Sequence, residues 1–124
     1  MTIMEAINRI DSLQFNTYTQ NDKLDWLSRL DWSVKRHIID LHEDPEILTF
    51  SGYNDNTDLN TELLVPPPYD EVYLRWMEAQ IHYHNGEYDK YNAAIIMYNT
   101  AFESYENYYK LSHMPKLRGS RFIF

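Results

Sequence analysis

The chain has 124 residues, no cysteine and a formal net charge of -8, with 44% hydrophobic and 15% aromatic residues. That is length enough for one domain, too apolar for a disordered acidic chain, and too acidic to wrap nucleic acid, which requires concentrated Lys and Arg. The missing cysteine rules out disulfide staples, thiolate metal sites and a cysteine nucleophile, and no apolar run is long enough to span a bilayer.

The N-terminal stretch "MTIMEAINRIDSL" carries acids where a signal peptide has an uninterrupted apolar run, so a soluble, unexported protein is expected. Thr2 and Glu5 have capping-box spacing, and Ile3, Ala6, Ile7 and Ile10 follow at steps of three and four, which predicts an amphipathic helix from about Ile3 to Leu13. "NTYTQND" reads as a turn rich in N-caps. Beyond it Leu24, Leu27, Leu30, Val34, Ile38 and Leu41 mark the apolar stripe of a long helix, with Asp25, Arg29, Lys35, Arg36 and Asp40 as its solvated flank. That helix is expected to stop near "HEDPE", because Pro45 cannot continue the hydrogen-bond ladder.

A long connection follows, from about residue 46 to 68. "EILTF" and "TELLV" have the length and apolar content of two strands of a small hairpin, with "SGYNDNTDLN" between them. The expectation is either that hairpin or a long inserted loop, projecting as an arm. "VPPPYDEVY" then opens a third helix, with prolines before its first turn and Asp70 and Glu71 at the positive end of its dipole. Val72, Trp76, Ala79 and Tyr83 form its expected stripe. "HNGEY" is a stop signal with Gly86 placed for a left-handed cap, so a fourth helix should return antiparallel.

In the fourth helix Tyr88, Tyr91, Ile95, Tyr98, Phe102, Tyr105 and Tyr109 fall at alternating steps of three and four, a seam sharing one face. A tyrosine ring can be covered while its hydroxyl stays wet, so the seam suits either a bundle core or a contact between subunits. After Pro115 the tail has Lys116, Arg118 and Arg121, no acid, and the apolar end Phe122, Ile123 and Phe124. The sign of its charge is opposite to that of the body, as in a docking peptide. The organisation read from these signals is a mainly α domain of about four helices over residues 1–115, with a flexible tail at 116–124.

Nothing in the sequence marks an enzyme, a metal site or a cofactor site. His37 and His42 are five apart and His82 and His84 two apart, so neither pair has the i, i+4 spacing of helical ligands. "NDNTDLNTE" has the oxygen content of a calcium loop, but with Asn54 first the sixth position is Leu59 and the twelfth Val65, where Gly and Glu belong. The glycines are too scattered for a phosphate loop, and no nucleophile motif occurs.

Taken together, "TIMEAINRIDSL", the long helix ending "IIDLHED", the block "TDLNTELLVPPPYDEVYLRWMEAQIHYHNGEYDKYN" and "YYKLSHMP" resemble the head-tail connectors (adaptors, or head completion proteins) of long-tailed double-stranded DNA phages and prophages. The resemblance covers nearly the whole chain and is one of overall pattern. It implies a helical virion protein, made in the bacterial host cytoplasm, that forms a ring, typically of twelve copies, beneath the portal and joins capsid to tail. Its implied partners are the portal protein, a tail-side connector or stopper, and DNA that passes through an acidic channel without sequence-specific binding. By the same resemblance Lys116, Arg118, Arg121, Phe122 and Phe124 would dock on the portal, and the tyrosine seam would serve core and intersubunit contacts. The alternative is a small protein-interaction adaptor, because "AQIHYHNGEYDKYNAAIIMYNTA" is similar to one tetratricopeptide-type helical pair, with Gly86 at the turn and Ala94, Tyr98 and Ala101 after it. Such arrays need about three units to bury a continuous core, and one is present.

Overall fold

The computed structural model describes residues 1–42 and 49–113. Its first helix, α1, spans Ile3–Leu13 and opens with the expected capping box: Thr2 Oγ1 accepts from the Glu5 amide and the Glu5 carboxylate accepts from the Thr2 amide. Helix α2, Gln20–Val34, opens with a second box between Thr19 and Asp22, which satisfies two of the amides a helix start leaves unpaired. Without a break it passes through a π-helical segment, Lys35–Ile39, into a last short turn, α3, Asp40–His42. Helices α4 (Glu71–His84) and α5 (Tyr88–Ser112) complete the bundle.

The π-helical segment corrects the predicted stripe. The Asp40 amide reaches back five residues to the Lys35 carbonyl, and each extra residue in a turn rotates everything downstream by about 100°. Ile38 stays buried and Ile39 joins it, while Leu41, expected in the stripe, is 71% exposed. Lys35, expected in solvent, is buried and paired with Asp40. Lys23, likewise buried, reaches Asp11 on α1 at 2.6 Å.

The connection takes the inserted-loop form of the expectation, not the hairpin. Glu46, Ile47 and Leu48 of "EILTF" lie outside the described residues, and the described remainder forms no strand ladder, only an isolated bridge between Thr2 and Glu62. Nor does it project. The amides of Ile3 and Met4 donate to the carbonyls of Thr61 and Leu59, the Leu63 amide donates to the Met1 carbonyl, and Leu63 and Val65 are buried in the core. Burial of these side chains pulls the segment in, because two apolar residues left in water would each forfeit about 1.5–3 kcal/mol.

Helices α4 and α5 turn at Gly86, whose φ of 79° supplies the left-handed cap. Ring contacts follow the antiparallel pairing down the hairpin: Tyr83 meets Tyr88 and Tyr91 at the turn, Trp76 meets Tyr98 midway, and Tyr69 meets Tyr105 and Tyr108 at the far end. The inner face of α4 is Val72, Tyr73, Met77 and Ile81, packed on α1 and α2, so Tyr83, expected in its stripe, stands 50% exposed. The fold is thus a small helical bundle with a long inserted loop wrapped against one end.

Candidate interaction surface

The densest polar chemistry is buried and committed to the fold. Asp31 on α2 is fully buried, yet its carboxylate accepts from the Tyr53 hydroxyl at 2.5 Å, the Leu64 amide at 3.1 Å and the Tyr73 hydroxyl at 2.6 Å, and the Tyr73 oxygen accepts in turn from the Val65 amide at 2.7 Å. Burial pushes the Asp31 carboxyl above the usual carboxylate range, opposed by the hydrogen bonds from Tyr53, Tyr73 and Leu64. The same burial, with the Asp31 charge beside them, raises both tyrosine hydroxyls well above the ordinary phenol range. Phenols held this way stay protonated and donate to Asp31, so the cluster is a clamp that fixes the loop to the bundle. Among the described residues no buried side-chain nitrogen or oxygen lacks a partner.

The histidines and the oxygen-rich loop have comparable local roles. His42 Nδ1 lies 2.7 Å from the Ile38 carbonyl, His82 Nδ1 lies 3.0 Å from Glu87, and the His84 ring stacks on Trp26. In the loop, Asn54 and Asp58 side chains accept from the amides of Asn56 and Asn60, so these oxygens build the turns themselves. Among the described residues no group of three or more His, Asp or Glu is arranged to hold a metal, and no helix is long and apolar enough to cross a membrane. An open groove of about 490 Å³ is lined by Ser33, His37, Tyr98, Asn99, Phe102 and Glu103.

The seam residues lie on the inward side of α5, with unequal cover. Tyr105 and Tyr109 are buried; Tyr91, Ile95, Tyr98 and Phe102 are half-buried; Tyr88 is 61% exposed. Burial raises the Tyr98 hydroxyl above the ordinary range. Lys116, Arg118, Arg121, Phe122 and Phe124 lie outside the described residues.

Sequence reasoning missed the opposite face of α5. Ile96 is 63% exposed, Met97 48%, Tyr108 43% and Leu111 72%, and with exposed Ala93, Thr100 and Ser104 they lie within roughly 60° of one line along a 3.6-residue helix. No charged residue interrupts that strip. The charged side chains of α5, namely Asp89, Lys90, Glu103, Glu106 and Lys110, lie at its ends or flanks. The signal was present as the spacing of Ala93, Ile96, Thr100, Ser104 and Leu111, but small and hydroxylated residues do not register in an apolar count. Asp31 was missed for a related reason: it stands four after Leu27 and three before Val34, a core position filled by an acid.

No protein-family model, curated protein or solved structure matches the chain.

Proposed function

We propose that this chain is a structural virion protein, a head-tail connector that assembles as a ring beneath a phage portal and joins capsid to tail. The observation that carries the reading is the uncharged, solvent-facing strip on α5 of a protein whose net charge is -8. A helix of 25 residues that leaves Ile96, Met97 and Leu111 in water is a surface for other protein. The remaining polar chemistry ties the loop to the bundle. A ring of such subunits multiplies the negative charge around a channel, which lets DNA slide without capture. In this reading Lys116, Arg118, Arg121, Phe122 and Phe124 dock on the portal, and the tyrosine seam serves core packing first. The adaptor alternative fits less well, because the inner face of α4 is covered by α1 and α2, where a tetratricopeptide pair would stack on another pair.

The test is deletion of the gene from its phage or prophage, followed by electron microscopy of the particles and an assay of their DNA. Tailless heads, empty or leaking DNA, are expected. Normal infectious virions would overturn the connector reading.

A further inference from the structure

We propose that the exposed face of α5 is a self-association surface, on which a second copy of this chain packs antiparallel about a two-fold axis near Phe102. The proposal uses the same strip as the connector reading but concerns the isolated chain, so it is tested apart from any particle.

Two features select a second copy as the occupant, and a third sets how tightly it binds. The first is size. With the axis at that level, Leu111 of one copy meets Ala93 of the other, Ile96 and Met97 meet the Tyr108 end, and Thr100 meets Ser104 at the centre. Large side chains face small ones at each end, and two short hydroxylated residues let the backbones approach in the middle. The second is charge. A strip without ionised groups is what lets chains of net charge -8 approach each other, and on one flank the antiparallel arrangement brings the Lys110 end of one helix toward the Asp89 end of the other. A parallel pair would set like charges together.

The third is area. From Ala93 to Leu111 the face runs about 27 Å on a helix about 10–12 Å across, an area of roughly 300 Å² per copy and about 600 Å² for the pair. That is smaller than a standard specific interface, so the dimer should be weak, with exchange at roughly hundreds of micromolar. Glu103, which has no ion pair among the described residues, sits beside the proposed axis near its own counterpart. Its repulsion weakens the pair.

The test uses the full chain, whose natural lack of cysteine makes introduced thiols unambiguous. Sedimentation equilibrium should show a monomer-dimer exchange at roughly hundreds of micromolar. It should be abolished by Thr100→Arg, a change at an exposed position that leaves the helical circular dichroism intact, and tightened about two- to threefold by Glu103→Gln. Under mild oxidation an equal mixture of Ala93→Cys and Leu111→Cys chains should cross-link to a covalent dimer, and neither alone should, because identical positions in the antiparallel pair stand about 27 Å apart. A chain that stays monomeric to millimolar concentration, or Ala93→Cys cross-linking to itself, would overturn the proposal. Because deletion phenotypes are read in particles and this exchange in purified protein, failure of one leaves the other distinguishable.

Discussion

The two ends of the α4–α5 hairpin are built from the same residue type and differ in what covers them. At the end closed by the loop, Tyr105 and Tyr109 are buried beneath Tyr69 and His42; at the Gly86 end, Tyr83, Tyr88 and Tyr91 pack on one another, and Tyr83 and Tyr88 are largely in solvent. Spacing by three and four therefore assigned a face to these rings without saying how deeply each would lie. The rings that cover the closed end come from chain far away in sequence, Tyr69 before α4 and His42 on α3.

The largest expected contrast is truncation of one ring at each end. Tyr109, stacked on His113 at 3.8 Å and edge-on to His42 and Tyr105, should lose about 3–5 kcal/mol as Tyr109→Ala, the range for a large aromatic removed from a packed site. Tyr88→Ala should stay within about 0.5 kcal/mol, as for an ordinary surface change. Urea unfolding of both variants checks this, and equal losses would mean that the hairpin turn is as well covered as the closed end.

A smaller effect isolates the clamp beneath that cover. Tyr73→Phe keeps the ring but removes the donor to Asp31 and the acceptor for the Val65 amide, so about 1–3 kcal/mol should be lost. Asp31→Asn should also destabilise. Three donors converge on the carboxylate, and an amide that accepts from Leu64 and Tyr53 must present its NH₂ to Tyr73, whose proton then has no acceptor. Hydrogen exchange at Leu64 and Val65 should accelerate in both variants. Unchanged exchange would show that apolar burial alone holds the loop.

Glycines sharpen the same comparison with backbone held nearly constant. Gly52 has φ 87° and Gly86 φ 79°, so alanine is strained at both, but a Cβ at Gly52 would meet Ser28 Oγ at 3.0 Å and Trp32 Nε1 at 3.1 Å, whereas at Gly86 it meets nothing within 4 Å. Gly86→Ala should cost about 1 kcal/mol of strain, and Gly52→Ala about 1–3 kcal/mol more because the covered site must also shift. Thermal unfolding midpoints would rank them.

How much of this was legible follows the same division. Helix α1, its capping box, the start of α4 and the Gly86 turn rest on interactions within a few residues, and the local sequence states them. The loop could not be placed, because its anchors are an acid on α2 and the backbone at the start of α1, and nothing near Leu64 or Tyr53 says that Asp31 will accept their hydrogen bonds. The π-helical segment was equally hidden: the stripe through Val34 and Ile38 is regular, and only packing decides that Ile39 enters the core and Leu41 leaves it. On α5 the inward seam was visible because tyrosines are conspicuous, and the outward strip was not.

The smallest effect separates the two ends by the direction of their pH dependence. At the closed end the Asp31 carboxyl is raised from 3.8 by burial, so the folded state holds its proton more firmly than the unfolded chain. The associated stability is fully present below pH 3.8 and is lost as pH rises through the folded value. At the open end Glu87 is lowered from 4.5 to about 2, first by its hydrogen bond with His82, then by Asn85 and Lys90. Its stabilisation is present above pH 4.5 and lost as pH falls toward about 2. Replacing Glu87 by Gln should therefore flatten the profile below pH 3.8, and Asp31→Asn should flatten the slope above pH 4.5, with both contributing in between. Because Glu87 is partly open to solvent and Asp31 is buried, 0.5 M salt should shrink the effect of Glu87 while leaving that of Asp31 largely in place. Urea titrations from pH 2 to 7 in low and high salt would show this; a Glu87 effect indifferent to salt would mean that the Gly86 end is as shielded from solvent as the end the loop covers.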